Sequence, residues 1–127
     1  ESSAASDVYK RQGYYGRENV DESETIRLLY QSFRALLKPA IPNRLVRRIF
    51  ELRLMAIQGE YREAPDRKIS DSALYAWQFV ISTPIEKLYT FLLTEPVFEE
   101  FARCVEDNKR RYVDREFRSL EILRVVT

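Results

Sequence analysis

The apolar residues of this chain recur at helical spacing over most of its length, and no alternating strand pattern competes with them. Ile26, Leu29, Tyr30, Phe33, Leu36 and Leu37 fall on one face of a helix, the kind of stripe a globular domain turns toward its core. Asp21 and Glu24 stand at capping-box spacing, so they predict the start of this helix after a Tyr- and Gly-rich loop over 13–20. Pro39 and Pro42 end it. Asn43, or the turn around Pro42, caps a second helix running to about Gln58, with Gly59 as its stop. There Leu45, Val46, Ile49, Phe50, Leu52, Leu54, Ala56 and Ile57 cover about half the circumference. Arg44, Arg47, Arg48, Glu51 and Gln58 cluster opposite them, and Arg47 and Glu51 are spaced to pair.

The stretch 60–68 reads as a charged loop containing Pro65. Ser70 is the expected N-cap of a third helix, whose LYAWQFVI segment (Leu74 to Ile81) is apolar on nearly every side and predicts central burial. Thr83 and Pro84 read as N-cap and first residue of a short turn through Leu88. Tyr89 to Leu93 is either extended or a continuation of that turn. Thr94 with Pro96 opens a long helix to about Asp114, with Val97, Phe98, Phe101, Cys104, Val105 and Tyr112 as its inner stripe. Ser119 is placed to cap a last short helix, SLEILR. With three glycines and no hairpin signal, the expected fold is all-α: a small bundle of about four main helices plus a short terminal helix.

The first twelve residues, ESSAASDVYKRQ, stand apart: they are small and polar, lack a hydrophobic period and begin without methionine. Asp7 to Gln12 back-translates as GAT GTG TAT AAG AGA CAG, which resembles the end of a transposase-based sequencing adapter. Residues 1–12 are therefore expected to be a non-native, adapter-derived segment, the alternative being a natural disordered terminus. Residues 13–127 then form one domain. Excluding Glu1, Asp7, Lys10 and Arg11 removes two charges of each sign, so the net charge stays at +1.

Charge and chemistry narrow the function. Lys and Arg total 21 against 20 for Asp and Glu, so any basic surface must be a local patch. There is no histidine, the commonest general base and metal ligand. The single cysteine, Cys104, excludes an intrachain disulfide and fits a reducing cytosol; on its helix's inner stripe it reads as a small buried hydrophobe. A phosphate-cradling glycine loop, a nucleophile–base pairing and a metal-ligand cluster are all missing from the sequence. Glu99 and Glu100, and Glu60 and Glu63, read as solvated charges. The expectation is a non-enzymatic protein with no cofactor and no metal. No run is apolar enough to span a bilayer and no signal-peptide core is present, which gives a cytoplasmic expectation.

Two basic features remain. Arg53 falls near the middle of the second helix's apolar arc, where a buried guanidinium needs a partner. Either it snorkels to an edge or pairs internally, or it lines a groove that receives a partner's carboxylate. Later come Lys109, Arg110, Arg111, Arg115, Arg118 and Arg124, with Tyr112 and Phe117 interleaved. Such mixtures suit single-stranded nucleic acid. Glu106, Asp107, Asp114, Glu116 and Glu121 dilute the set, so a solvated face stands beside a nucleic-acid contact formed by Lys109, Arg110, Arg111, Arg115 and Arg118.

Three segments carry a family resemblance. RIFELRLMAIQGEY (Arg48 to Tyr61), ISTPIEKLYTF (Ile81 to Phe91) and YVDREFRSLEIL (Tyr112 to Leu123) resemble, in order and spacing, the helical C-terminal part of the RecO family of DNA-repair recombination mediators. The resemblance runs from Gly13 onward, about nine-tenths of the chain. It implies a helical domain that in RecO-like proteins follows an N-terminal OB-fold. It further implies binding to single- and double-stranded DNA, action with RecR and in some bacteria RecF, strand annealing, and loading of RecA onto strands coated by single-stranded DNA-binding protein (SSB). In the family, the acidic, apolar-ended SSB tail docks beside basic residues that precede the phenylalanine–glutamate–leucine motif. By position Arg48 matches that site, with Arg47 its neighbour. Two departures matter. The OB-fold pattern is absent, so DNA binding is expected to be weak, and the partner-binding half is what remains. Where many relatives carry a four-cysteine zinc site, this chain has the short loop GEYREAPDRK, so no zinc is expected. The competing readings are a helical protein–protein adaptor unrelated to DNA, and a fragment of an enzyme whose active site lies elsewhere.

Overall fold

The computed structural model describes residues 13–126, with side chains described for residues 20–113. The segment 1–12, expected to be adapter-derived, lies outside the described residues. Among the described residues four helices are formed: α1 (Gly13–Leu36), α2 (Asn43–Ile57), α3 (Asp71–Ser82) and α4 (Glu95–Val126), with a 3-10 turn at Ile85–Lys87 between the last two. No strand occurs among the described residues, so the architecture is a small all-α bundle. The final helix is not separate, because the backbone of α4 runs unbroken through SLEILR.

Helix α2 is the centre of the bundle and packs against each of the other three. Its arc of Leu45, Val46, Ile49, Leu52, Met55 and Ile57 is buried, and Phe50 and Leu54 pack at the margin. Gly59 terminates the helix with φ +78°. Its N–H donates to Ala56 O, and the Glu60 N–H donates back to Met55 O at 2.8 Å. This pair of bonds is the Schellman arrangement, which satisfies carbonyls the helix leaves open. Helix α3 begins as the sequence predicts: the Ser70 hydroxyl accepts from the Ala73 N–H. Glu100 then accepts from the Ser70 hydroxyl at 2.6 Å and from its N–H, so this carboxylate ties α4 to the start of α3 and is not merely solvated. Helix α3 is not buried all round; Ala73, Ala76, Trp77 and Val80 face the core, whereas Tyr75 is exposed. The Trp77 indole N–H donates to Arg62 O at 2.8 Å and pins the charged loop to the core. Of the two alternatives for Tyr89 to Leu93, the turn continues through Tyr89 to a bend at Thr90, and Phe91 to Leu93 has no regular structure. Phe101, Cys104 and Val105 form the buried stripe of α4.

Helix α1 departs most from the sequence reading. It starts at Gly13, not near Asp21, so the expected Tyr/Gly loop is helical and the Asp21–Glu24 capping box does not form. Glycines at 13 and 16 cost about 1 kcal/mol each relative to alanine, but no proline interrupts the run, and extending an existing helix is far easier than nucleating one. The inward face also differs. Leu28 (0% exposed), Ser32 and Ala35 are buried, while the expected stripe faces outward, with Phe33 65% and Leu37 83% exposed. At 100° per residue the two faces lie roughly 140° apart. A narrow line of small residues lets α1 lie close against α2. In its middle the Ser32 hydroxyl donates to Leu28 O at 2.8 Å and receives the Tyr89 hydroxyl at 2.6 Å.

Candidate polyanion-binding site

On α2, Arg47, Arg48 and Glu51 share the face opposite the core arc, one turn apart. Helix α4 brings Glu106, Lys109 and Arg110 alongside, although these lie 58 residues further along the chain. Glu51 is the junction. Its Oε2 accepts from Lys109 Nζ at 2.9 Å and from Arg47 Nε at 3.2 Å, and its Oε1 accepts from Arg48 Nη1 at 2.9 Å. Arg48 Nη1 also donates to Glu106 Oε1 at 2.9 Å. Lys109 stands 3.5 Å and Arg110 4.0 Å from the Glu106 carboxylate. Four cations thus surround two carboxylates, leaving the cluster with a net charge of +2 (4 − 2).

Burial would raise the Glu51 carboxyl, but hydrogen bonds from Lys109 and Arg47 and the charges of Lys109 and Arg48 hold it below its ordinary pKa. The hydrogen bond from Arg48 holds Glu106 low against its own smaller desolvation. Burial also opposes the charge on Arg48, yet Glu106 and Glu51 raise its pKa overall. Each of these three shifts favours the charged form of its group, so Arg48, Glu51 and Glu106 hold one another ionised.

The fold merges two of the sequence-predicted sites. Arg47 and Arg48, expected to meet a partner tail, share one face with Lys109 and Arg110, expected to meet nucleic acid. Their environments differ. Arg48, with 20% of its side chain exposed, is held by two carboxylates, whereas Arg110, 71% exposed, stands at the rim. Arg47 and Arg110 thus form the exposed rim of the cluster, and Arg48 and Lys109 its inner layer.

Arg53 sits elsewhere. Its Nη1 donates to Val80 O at 2.8 Å and Thr83 O at 2.5 Å, so the half-buried guanidinium closes the C-terminal end of α3. There it answers open carbonyls and the negative end of the helix dipole. Burial lowers its pKa, and Arg27 adds to this while Glu24 and Glu86 oppose it. Arg111 points to the other side of α4, donating to Asn108 Oδ1 at 3.1 Å and lying 3.5 Å from Asp66. Arg115 and Arg118 follow on α4, where side chains lie outside the described residues.

Sequence reasoning missed a cleft of about 530 Å³ beside Arg111, lined by Glu60, Tyr61, Arg62, Asn108 and Tyr112. Asn108 is buried at its floor, donating to Glu60 O at 2.8 Å. The Tyr112 hydroxyl donates to Gln58 Oε1 at 2.7 Å. Two tyrosines and two arginines in one cleft offer stacking and charge together. The interleaving of Tyr112 with the basic run was visible in sequence, but its approach to Tyr61 and Arg62 depends on the Gly59 turn.

Among the described residues no group of three or more potential ligands could hold a metal, and no helix is long and apolar enough to cross a membrane. Cys104 is buried, and burial pushes its thiol pKa up, with Asp107 and Glu100 adding to the effect and Arg67 opposing it. No family model matches the chain, and comparison with curated proteins and with solved structures gives no match.

Proposed function

We propose that this chain is the helical, partner-binding part of a RecO-like recombination mediator, a non-enzymatic module of DNA repair that needs no cofactor. In this reading the α2–α4 face receives the acidic tail of SSB and contributes, weakly, to contacts with single- and double-stranded DNA. RecR is a further partner, RecA loading is the outcome, and the module works in the bacterial cytoplasm at the nucleoid. One observation carries the reading: Arg47, Arg48, Lys109 and Arg110, named from two distant segments, converge around only two carboxylates. A surface with surplus cations at its rim suits a flexible polyanion, because rim charges steer encounter without requiring a deep pocket. The three sequence segments that resemble RecO supply the identity of the polyanion.

The test is a titration of a fluorescent peptide carrying an SSB C-terminal tail into the protein. Binding in the micromolar range that weakens with added salt is expected. Arg48→Ala and the Arg47→Ala/Arg110→Ala pair should each weaken it several-fold. A folded protein that shows no binding at low salt would remove the proposal.

A further inference from the structure

Asp71, Tyr75 and Phe79 stand four residues apart and share one face of α3. The segment after the 3-10 turn brings Phe91 and Leu93 against them, and the two elements enclose a pocket of about 470 Å³. The planes of the Phe79 and Phe91 rings meet at 78° with their centroids 5.2 Å apart, so the pair forms a corner. The Tyr75 ring extends it, 6.2 Å from Phe79 at 34°. Phe79 and Phe91 are half-buried, and Tyr75 is 69% exposed.

Two features of this pocket want a counterpart. Among the described residues no cation of the chain stands over any of the three rings; Arg34 and Arg44, which do cover rings, lie over Tyr30 and Phe98. Lys38 lines the neighbouring cavity on Phe91 and is not part of this one. Asp71, the charged residue at the pocket, is exposed and makes no hydrogen bond or ion pair among the described residues.

These features select the occupant. An anion would be repelled by the Asp71 carboxylate and by the negative faces of the rings. A wholly apolar molecule would take water from that carboxylate and return nothing. A hard inorganic cation gives up its water only for several oxygen ligands, and one carboxylate does not replace them. We propose that the pocket binds a small organic cation, an ammonium whose nitrogen carries alkyl groups. The alkyl groups pack into the corner of Phe79, Phe91 and Leu93, the charge rests on the faces of the rings, and Asp71 balances it at the rim. The volume suits a ligand of that size. The pocket lies on α3 and the segment 90–93, apart from the α2–α4 cation cluster, so the inference stands independently of the proposed function.

Choline titrated into the whole chain, followed by amide resonances in two-dimensional NMR, tests the proposal. Saturable shifts confined to residues 71–79 and 90–93 are expected at millimolar choline. The neutral molecule of the same shape, 3,3-dimethylbutan-1-ol, should bind several-fold more weakly. Asp71→Asn and Tyr75→Leu, both at exposed positions, should each weaken choline several-fold with unchanged circular dichroism and Trp77 fluorescence, and Tyr75→Phe, which keeps the ring, should not. No saturable shift, equal binding of the alcohol, or affinity indifferent to both Asp71→Asn and Tyr75→Leu overturns the proposal.

Discussion

Glu51 on α2 and Lys109 on α4 meet at 2.9 Å, and around this contact the surplus cations of the two helices are gathered. The carboxylate has 16% of its side chain exposed and accepts from three cations, so it organises the face rather than decorating it. Glu51→Gln should raise the net charge of the cluster from +2 to +3 and loosen Lys109 and Arg48. The expected outcome is a stability loss on the order of 1–2 kcal/mol in urea denaturation, together with a few-fold tighter, more salt-sensitive grip on the tail peptide. Unchanged stability would mean that the three contacts are too solvated to matter.

The same carboxylates set an acid limit. Glu51 and Glu106 are held below the ordinary value of 4.5, so as pH falls the unfolded chain takes up protons before the folded one does. Their contribution is complete above pH 4.5 and drains away as pH drops through the lower folded-state values. Urea midpoints measured between pH 7 and about pH 3 should therefore fall below roughly pH 4.5. The fall should be shallower in Glu51→Gln.

At the α1 interface, burial raises the Tyr89 hydroxyl from 10.0 to about 12, with the Ser32 bond opposing the shift. A folded-state pKa above the unfolded one stabilises the protein below pH 10, and that stability is lost as pH rises from 10 toward 12. Tyr89→Phe should lack this alkaline loss. At neutral pH it should cost about 1 kcal/mol, since Ser32 already donates to Leu28 O and loses the donor it receives. Thermal melts of both proteins at pH 7 and pH 11 would decide it.

Arg53→Met keeps the length of the side chain and removes its donors to Val80 O and Thr83 O. A loss of about 1–2 kcal/mol is expected, with the end of α3 fraying first. Hydrogen exchange at the amides of residues 80–83 should report it. If those amides exchange no faster, the guanidinium does not act as the cap of α3.

Gly59→Ala tests the turn that opens the Tyr61–Arg62 cleft. A Cβ there would meet nothing within 4 Å, so the cost is the φ of +78° alone. About 1 kcal/mol of destabilisation is expected in denaturant titrations followed by Trp77, with no loss of helix content.

How far the sequence reached differs from element to element. Helical periodicity and caps are local properties, so Ser70, Gly59, the all-α class and the α2 arc, apart from the buried Met55, were legible from residue order alone. So was the Arg47–Glu51 pair, which lies within one helix. The inward face of α1 was not. Its larger side chains form the more hydrophobic stripe, yet close approach to α2 favours the small line of Ser32 and Ala35 beside Leu28. That choice depends on the shape of the neighbour, and no local pattern records it. The grouping of Arg48 with Glu106 and of Glu51 with Lys109 is likewise tertiary, since it follows from how α4 lies along α2. Arg53 shows both sides: the sequence determined that a guanidinium in an apolar arc must find acceptors, and only the packing of α3 across α2 decided that they would be the carbonyls of a helix end.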